Sequence, residues 1–236
     1  MSKHRNPLVT VGNAEYLRIP IRTHRITSAD DIASVVEQYT KGKVEEGDIV
    51  FISEKVAAVS QGRAIPESQI KIGLLANILW RFVAKVPYGI GLRRPSSMQC
   101  AINECGAARI LLAAVVGGLG KLVGRKGDFY RIAGMQAATI DAATTSPLQP
   151  DCVILGPKDP DGVARRIKER TGCEAAIVDV NDIGGSWVLG ASERADRKLV
   201  EAALKDNPLG QKDEQTPFGI LRNNDAYKGM KRMPCA

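Results

Sequence analysis

The chain has 236 residues, 44% hydrophobic and 25% charged, the composition of a soluble globular protein with material for one large domain or two small ones. A formal charge of +7 favours anionic partners and goes no further than that class. Five cysteines without Cys-x-x-Cys spacing and only two histidines, His4 and His24, speak against a disulfide framework, a zinc site or histidine chemistry, and for reduced thiols in a cytoplasmic protein.

Residues 1–14 are polar, lack the apolar core of a signal peptide and read as a loose lead-in. The alternation in EYLRIPIRTHRI (15–26) predicts a strand interrupted near Pro20. TSADDIASVVEQYT (27–40) predicts a helix capped by Ser28, with Ile32, Val35 and Val36 on one face. Asp48 to Ile52 reads as a strand and 57–66 as short and extended. Ile70, Leu74, Leu75, Ile78, Leu79 and Phe82 have helical spacing over 67–86.

Residues 95–106 predict a short helix closed by Gly106. The apolar run 108–118 fits a buried strand or a helix, since periodicity does not decide for a continuous run, and it is too short to span a bilayer. A strand is expected within 129–145, ending near Asp141, and a β-α-β unit over 151–182. Residues 192–210 predict a helix stopped at Asn207-Pro208, and the tail with Tyr227 shows no RNA-binding signature.

The stretch KDPDGVARRIKER poses a choice between a metal site and a helix start. Asp159 suits an N-cap, Pro160 the first helical position and Asp161 the positive end of the helix dipole, so the cap reading is preferred. GGLGKLVGRKG (117–127) fails as a phosphate loop, with Val115 where the first glycine belongs and Leu122 where Ser or Thr belongs. Asp141 and Asp182 each follow an expected strand. At strand carboxyl ends such acids could hold magnesium or manganese, or could simply be turn residues.

The order of motifs resembles the gamma-glutamyl ligase family of coenzyme F420. ISEKVAAVSQGR is similar to the family's strand, Thr-Ser-Lys turn and Gly-Arg pair, giving Ser53, Lys55, Gly62 and Arg63. IDAAT resembles its Ile-Asp-x-Ser-Asn motif, giving Asp141, and AAIVDVNDIGG its second metal aspartate, giving Asp182. GQKDEQTPFGI resembles its terminal loop, with Gln211 at the acidic position and Asp213 and Glu214 beside it.

The resemblance covers about 18–63 and 135–220, and is poor over 70–130. Departures are Val59 or a neighbour for a second lysine, Thr144 for the Asn after the metal Asp, Ile183 for a hydroxyl residue, and a shortened segment before the terminal loop. The resemblance implies a mixed α/β fold of two lobes in one domain spanning 1–236, the second lobe starting near 130, and usually a homodimer. It implies a ligase using GTP or ATP with Mg2+ or Mn2+ to join a carboxylate to an amino acid. Asp141 and Asp182 would be the catalytic metal ligands, and Ser53, Lys55, Arg63 and Gln211 would bind nucleotide. A catalytically inactive binding or regulatory protein of the same fold is the alternative. Neither a membrane nor a nucleic acid is an expected partner.

Overall fold

The computed structural model describes residues 6–83, 91–125, 127–146, 149–182, 185–210 and 214–224. In chain order they form β1 (Leu8–Val11), β2 (Ala14–Ile21), α1 (Ile32–Thr40), β3 (Ile49–Ser53), α2 (Glu54–Ser60), β4 (Ala64–Pro66), α3 (Leu74–Leu79), α4 (Pro95–Cys105) and α5 (Ala107–Leu122). Then follow α6 (Asp128–Ala133), α7 (Met135–Ala138), β5 (Cys152–Ile154), α8 (Pro160–Thr171), β6 (Glu174–Asn181), β7 (Gly185–Ala191), α9 (Arg197–Ala203) and β8 (Phe218–Asn223). This is a mixed α/β fold, as expected. The chain divides into two compact units, residues 1–61 with 157–236, and residues 62–156.

The first unit is built on a six-stranded sheet in the order β1-β2-β8-β3-β6-β7. β3 and β6 run parallel and the other neighbours antiparallel. Successive strand residues point to opposite faces. Val50 and Ile52 of β3 therefore join Ala175, Ile177, Phe218 and Ile220 under Val35 and Val36 of α1 and Val163 and Ile167 of α8. Ile49 and Phe51 join Ala176, Val178 and Leu221 under Val200, Ala203 and Leu204 on the other face. Both faces are covered, which explains why β3 and β6 read as continuous apolar runs. A Cβ on Gly219 would lie 2.6 Å from the Phe51 ring and 2.8 Å from the Ile19 carbonyl, so only glycine fits there.

Several expectations for this unit are corrected. β1 is a strand paired with β2, because Val9 and Val11 have apolar neighbours to cover them. β2 runs through Pro20 without a break. The Arg18 amide bonds the Pro7 carbonyl, so Pro20, two residues on, turns its missing N–H to the same side, past the start of β1. α1 is capped by Asp31, which accepts from the Ser34 amide, because Asp30 already closes the preceding turn on Thr27. Residues 57–60 are helical rather than extended, with Ala57, Ala58 and Val59 buried. The helix expected over 192–210 is confined to α9, capped by Asp196.

The second unit surrounds a core that includes Leu92, Met98, Ile110 and Val153, with β4 and β5 paired antiparallel. Gly106, at φ +84°, ends α4 as expected, and α5 settles the ambiguous run 108–118 as helix. The expected helix over 67–86 is broken. A 3-10 turn at Glu67–Gln69 and an extended Ile70 precede α3, and residues 84–90 lie outside the described residues. Residues 128–138 form two short helices in place of the expected strand. β5 pairs with β4 while β6 pairs with β3, so 151–182 is not one β-α-β unit. No single helix among the described residues is long and apolar enough to cross a membrane; α4 and α5 reach that composition only together and meet at a 116° bend.

Candidate functional site

Within the first unit, the parallel register sets the edge that matters. Ser53, the last residue of β3, lies opposite Val178 of β6. Beyond Ser53 the chain turns into α2, carrying the half-buried Lys55 and the buried Glu54. Beyond Val178 the strand continues to Asn181 and ends in the exposed Asp182. Ser53, Lys55 and Asp182 thus share the carboxyl edge of a parallel strand pair, where open α/β sheets place ligands. Asp182 is four residues past Val178, roughly 13 Å along the strand at 3.3 Å per residue.

Asp182 sits in the β6–β7 turn, which Asn181 closes by accepting from the Gly185 amide at 3.0 Å. Its Oδ1 accepts from Nδ2 of Asn207 at 2.9 Å. Asn207 is fully buried and adopts φ +52°, the left-handed region that Asn tolerates better than most residues. The same amide reaches the Gly210 carbonyl at 3.4 Å, and the Glu214 carboxylate packs against the Gly210 α-carbon. In the sequence, Asn207 reads only as a helix stop before Pro208. Gln211 and Asp213 lie outside the described residues.

In the second unit, Arg63 is buried. Its Nε donates to the Gly156 carbonyl at 2.5 Å and its Nη2 to Glu104 Oε2 at 2.5 Å. Asp141 exchanges both backbone hydrogen bonds with Ile154, a single bridge instead of the end of a strand. The loop after it holds Thr144 at φ +74°, strained for a β-branched residue and easier for Asn.

The two aspartates around Pro160 have structural partners. Asp159 caps α8 through the Gly162 amide at 3.0 Å. Asp161 accepts from the Ala191 amide at 2.9 Å and from Arg197 at 2.5 Å. An open groove of about 390 Å3 runs beside this cap between Gln61, Lys158, Arg165 and Arg166. Ser53, Lys55 and Asp182 do not line it.

Among the described residues, no group of three or more His, Cys, Asp or Glu could hold a metal by itself. Mg2+ and Mn2+ take oxygen ligands and are commonly held by one or two carboxylates plus waters and substrate phosphates. The exposed carboxylate of Asp182 is an oxygen ligand of that type.

The family model described as F420-0:Gamma-glutamyl ligase matches residues 20–195. The chain belongs to this family. The match makes an amide-forming ligase the activity the family suggests. Its span includes 70–130, where the motifs resemble the family least, and stops before Asn207 and the terminal loop. An uncharacterized protein of Methanocaldococcus jannaschii is 34% identical over 74 residues, covering 27% of this chain and 25% of that relative. The ligase-family chain therefore spans a quarter of the relative it matches, and that relative's name adds no activity.

Proposed function

We propose that this chain is a nucleotide- and divalent-metal-dependent amide ligase of gamma-glutamyl type. The terminal phosphoryl group of GTP or ATP passes to a substrate carboxylate and the nucleoside diphosphate leaves. An amine, from an amino acid, then attacks the acyl carbon and displaces phosphate, leaving an amide. The observation that carries this reading is the family match over 20–195, which includes the Ser53–Lys55 turn, Arg63, Asp141 and Asp182.

In this reading Lys55 neutralises charge on the transferred phosphoryl group, Ser53 donates to a phosphate oxygen, and Gln211 contacts the nucleotide. Asp141 and Asp182 present carboxylate oxygens to Mg2+ or Mn2+, whose contribution when bound is to offset negative charge on phosphate oxygens. Arg63 reaches a phosphate only by exchanging Glu104 for it, since that carboxylate and the Gly156 carbonyl hold it now. The partners are a small carboxylic acid, an amino acid and a second copy of the chain, in the cytoplasm. The exposed Leu112, Val115, Leu119 and Leu122 of α5 support the dimer as apolar side chains that a second copy would cover. Nucleic acid and membranes are not proposed as partners.

The engagement of Arg63 by Glu104, with Val59, Thr144 and Ile183 at positions where the family carries other residues, favours a second reading, a binding or regulatory protein of the same fold. The two are separated by measuring nucleoside diphosphate release from GTP and from ATP with Mn2+ against paired carboxylic acids and amino acids. Release that requires both partners supports the ligase. Nucleotide binding with no release across the panel supports the regulatory reading.

A further inference from the structure

We infer that the indole of Trp187 is the stacking surface for the purine base of a nucleotide bound at the carboxyl edge of β3 and β6. The inference rests on the nucleotide reading of that edge. It adds the flat apolar surface that Ser53, Lys55 and Asp182 do not offer.

Three observations carry it. First, Trp187 is 52% exposed, while its neighbours in β7, Val188 and Leu189, are partly buried. Tryptophan is highly buried on average, so an open indole beside a candidate ligand edge calls for a partner.

Second, the sheet register places this ring at the right edge and on the right face. Trp187 lies opposite Asp179 of β6, and directly opposite residues share a face. Ile177, two residues before Asp179, packs with Ala57 of α2, so Trp187 stands on the face that α2 covers. Val188, next in the strand, packs on the other face. The strand order is β3-β6-β7, and Ser53 lies opposite Val178, the residue before Asp179. Strand spacing then separates the α-carbons of Ser53 and Trp187 by about 10 Å. A nucleoside triphosphate spans that gap, with its phosphates at the Ser53–Lys55 turn and its base at β7.

Third, the ring is seated. A Cβ on Gly185 would lie 2.4 Å from Trp187 Cη2 and 2.5 Å from Cζ3, so the far edge of the indole fills the place of a side chain there. Asn181 accepts from the Gly185 amide at 3.0 Å and ties that glycine to the end of β6. With its far edge against Gly185, the indole exposes its ring faces and its pyrrole side. A ring already seated loses little freedom when a base stacks on it.

The test uses the full chain with Mg2+ and compares GTP, ATP and inorganic tripolyphosphate, which has no base. Calorimetric titration follows wild type, Trp187→Phe and Trp187→Ala. Losing an aromatic platform weakens binding by about five- to 150-fold per base. Trp187→Ala should show that loss for the nucleotide, Trp187→Phe should retain most of the affinity, and tripolyphosphate should bind all three proteins alike. Fluorescence gives an independent readout, because the chain has two tryptophans and Trp187→Phe leaves only Trp80. The nucleotide should quench wild type, tripolyphosphate should not, and Trp187→Phe should lose the quenching. Equal nucleotide affinity in wild type and Trp187→Ala overturns the inference and leaves the ligase reading standing. An equal loss of nucleotide and tripolyphosphate in Trp187→Ala also overturns it, since Trp187 then supports the turn and not the base. If Trp187→Ala does not fold, nucleotide quenching that persists in Trp187→Phe overturns it. Absence of nucleotide binding to wild type overturns the nucleotide reading and this inference with it.

Discussion

Ser53 and Val178 face each other in parallel register, and this one pairing brings the turn with Lys55 and the strand end with Asp182 to the same edge of the sheet. The pairing ties two stretches more than a hundred residues apart in the chain. If nucleotide binds at this edge, the two residues act on it differently. Lys55→Ala is expected to weaken GTP or ATP binding with or without metal. Asp182→Asn is expected to remove only the part that depends on Mg2+ or Mn2+. Calorimetric titration of each variant checks this, and metal-dependent binding by Asp182→Asn equal to wild type would sink the assignment.

Arg63 and Glu104 form a largely buried ion pair, with side-chain exposures of 7% and 21%. Among the described residues, removing the acid leaves the buried cation with the Gly156 carbonyl as its side-chain partner. Breaking such a pair from one side is strongly destabilising. Glu104→Ala should cost about 2–4 kcal/mol in urea unfolding. A loss below about 0.5 kcal/mol, the scale of an ordinary surface change, would show that water already serves Arg63.

Asp159 combines an N-cap with a left-handed backbone at φ +43°. Alanine loses the cap and keeps the strain, costing about 1–3 kcal/mol; glycine loses the side-chain bond but takes that backbone freely, costing a few tenths. Unfolding of Asp159→Ala and Asp159→Gly should therefore differ by at least about 1 kcal/mol, and neither change should affect metal-dependent nucleotide binding. Loss of that binding in both variants would revive the metal reading of the DPD stretch.

Cys100 gives a pH dependence. Burial, helped by the Glu104 charge, pushes its thiol from 9.0 to about 11 in the folded chain. Between those values the unfolded chain gives up the proton that the folded chain retains, so stability is full below pH 9.0 and falls as pH rises toward about 11. Cys100→Ala should flatten this alkaline loss, and iodoacetamide at pH 8 should label Cys100 slowly in the folded protein and quickly in urea. Rapid labelling of the native thiol would contradict its burial.

The fold class, β3, α4, α8 with its Asp159 cap, and the turn after β6 were legible because each rests on local chemistry: alternation, capping, a Pro at the first helical turn. What was not legible depends on distant partners. Pro20 stays in β2 because its missing N–H points to the side of β1, past the residue where β1 begins. Residues 54–60 are helical because Ala57, Ala58 and Val59 meet a core the local pattern does not display. β5 and β6 look like one β-α-β unit along the chain, yet their strand partners, β4 and β3, separate them. Asp182 could be picked out as an acid after a strand. Asn207 could not, because nothing in DNPLG indicates that its amide turns back to a carboxylate 25 residues earlier.

The most direct test of the ligase assignment is thermal unfolding of the full chain with GTP and with ATP, each with and without Mg2+ or Mn2+. A ligand that binds only the folded state stabilises it, by about 2.7 kcal/mol at a hundred times its Kd. For a chain of this size that is roughly 5–10 °C. The ligase assignment predicts such a rise for at least one nucleotide, and predicts that it requires the metal. No shift with either nucleotide in the presence of metal would contradict it.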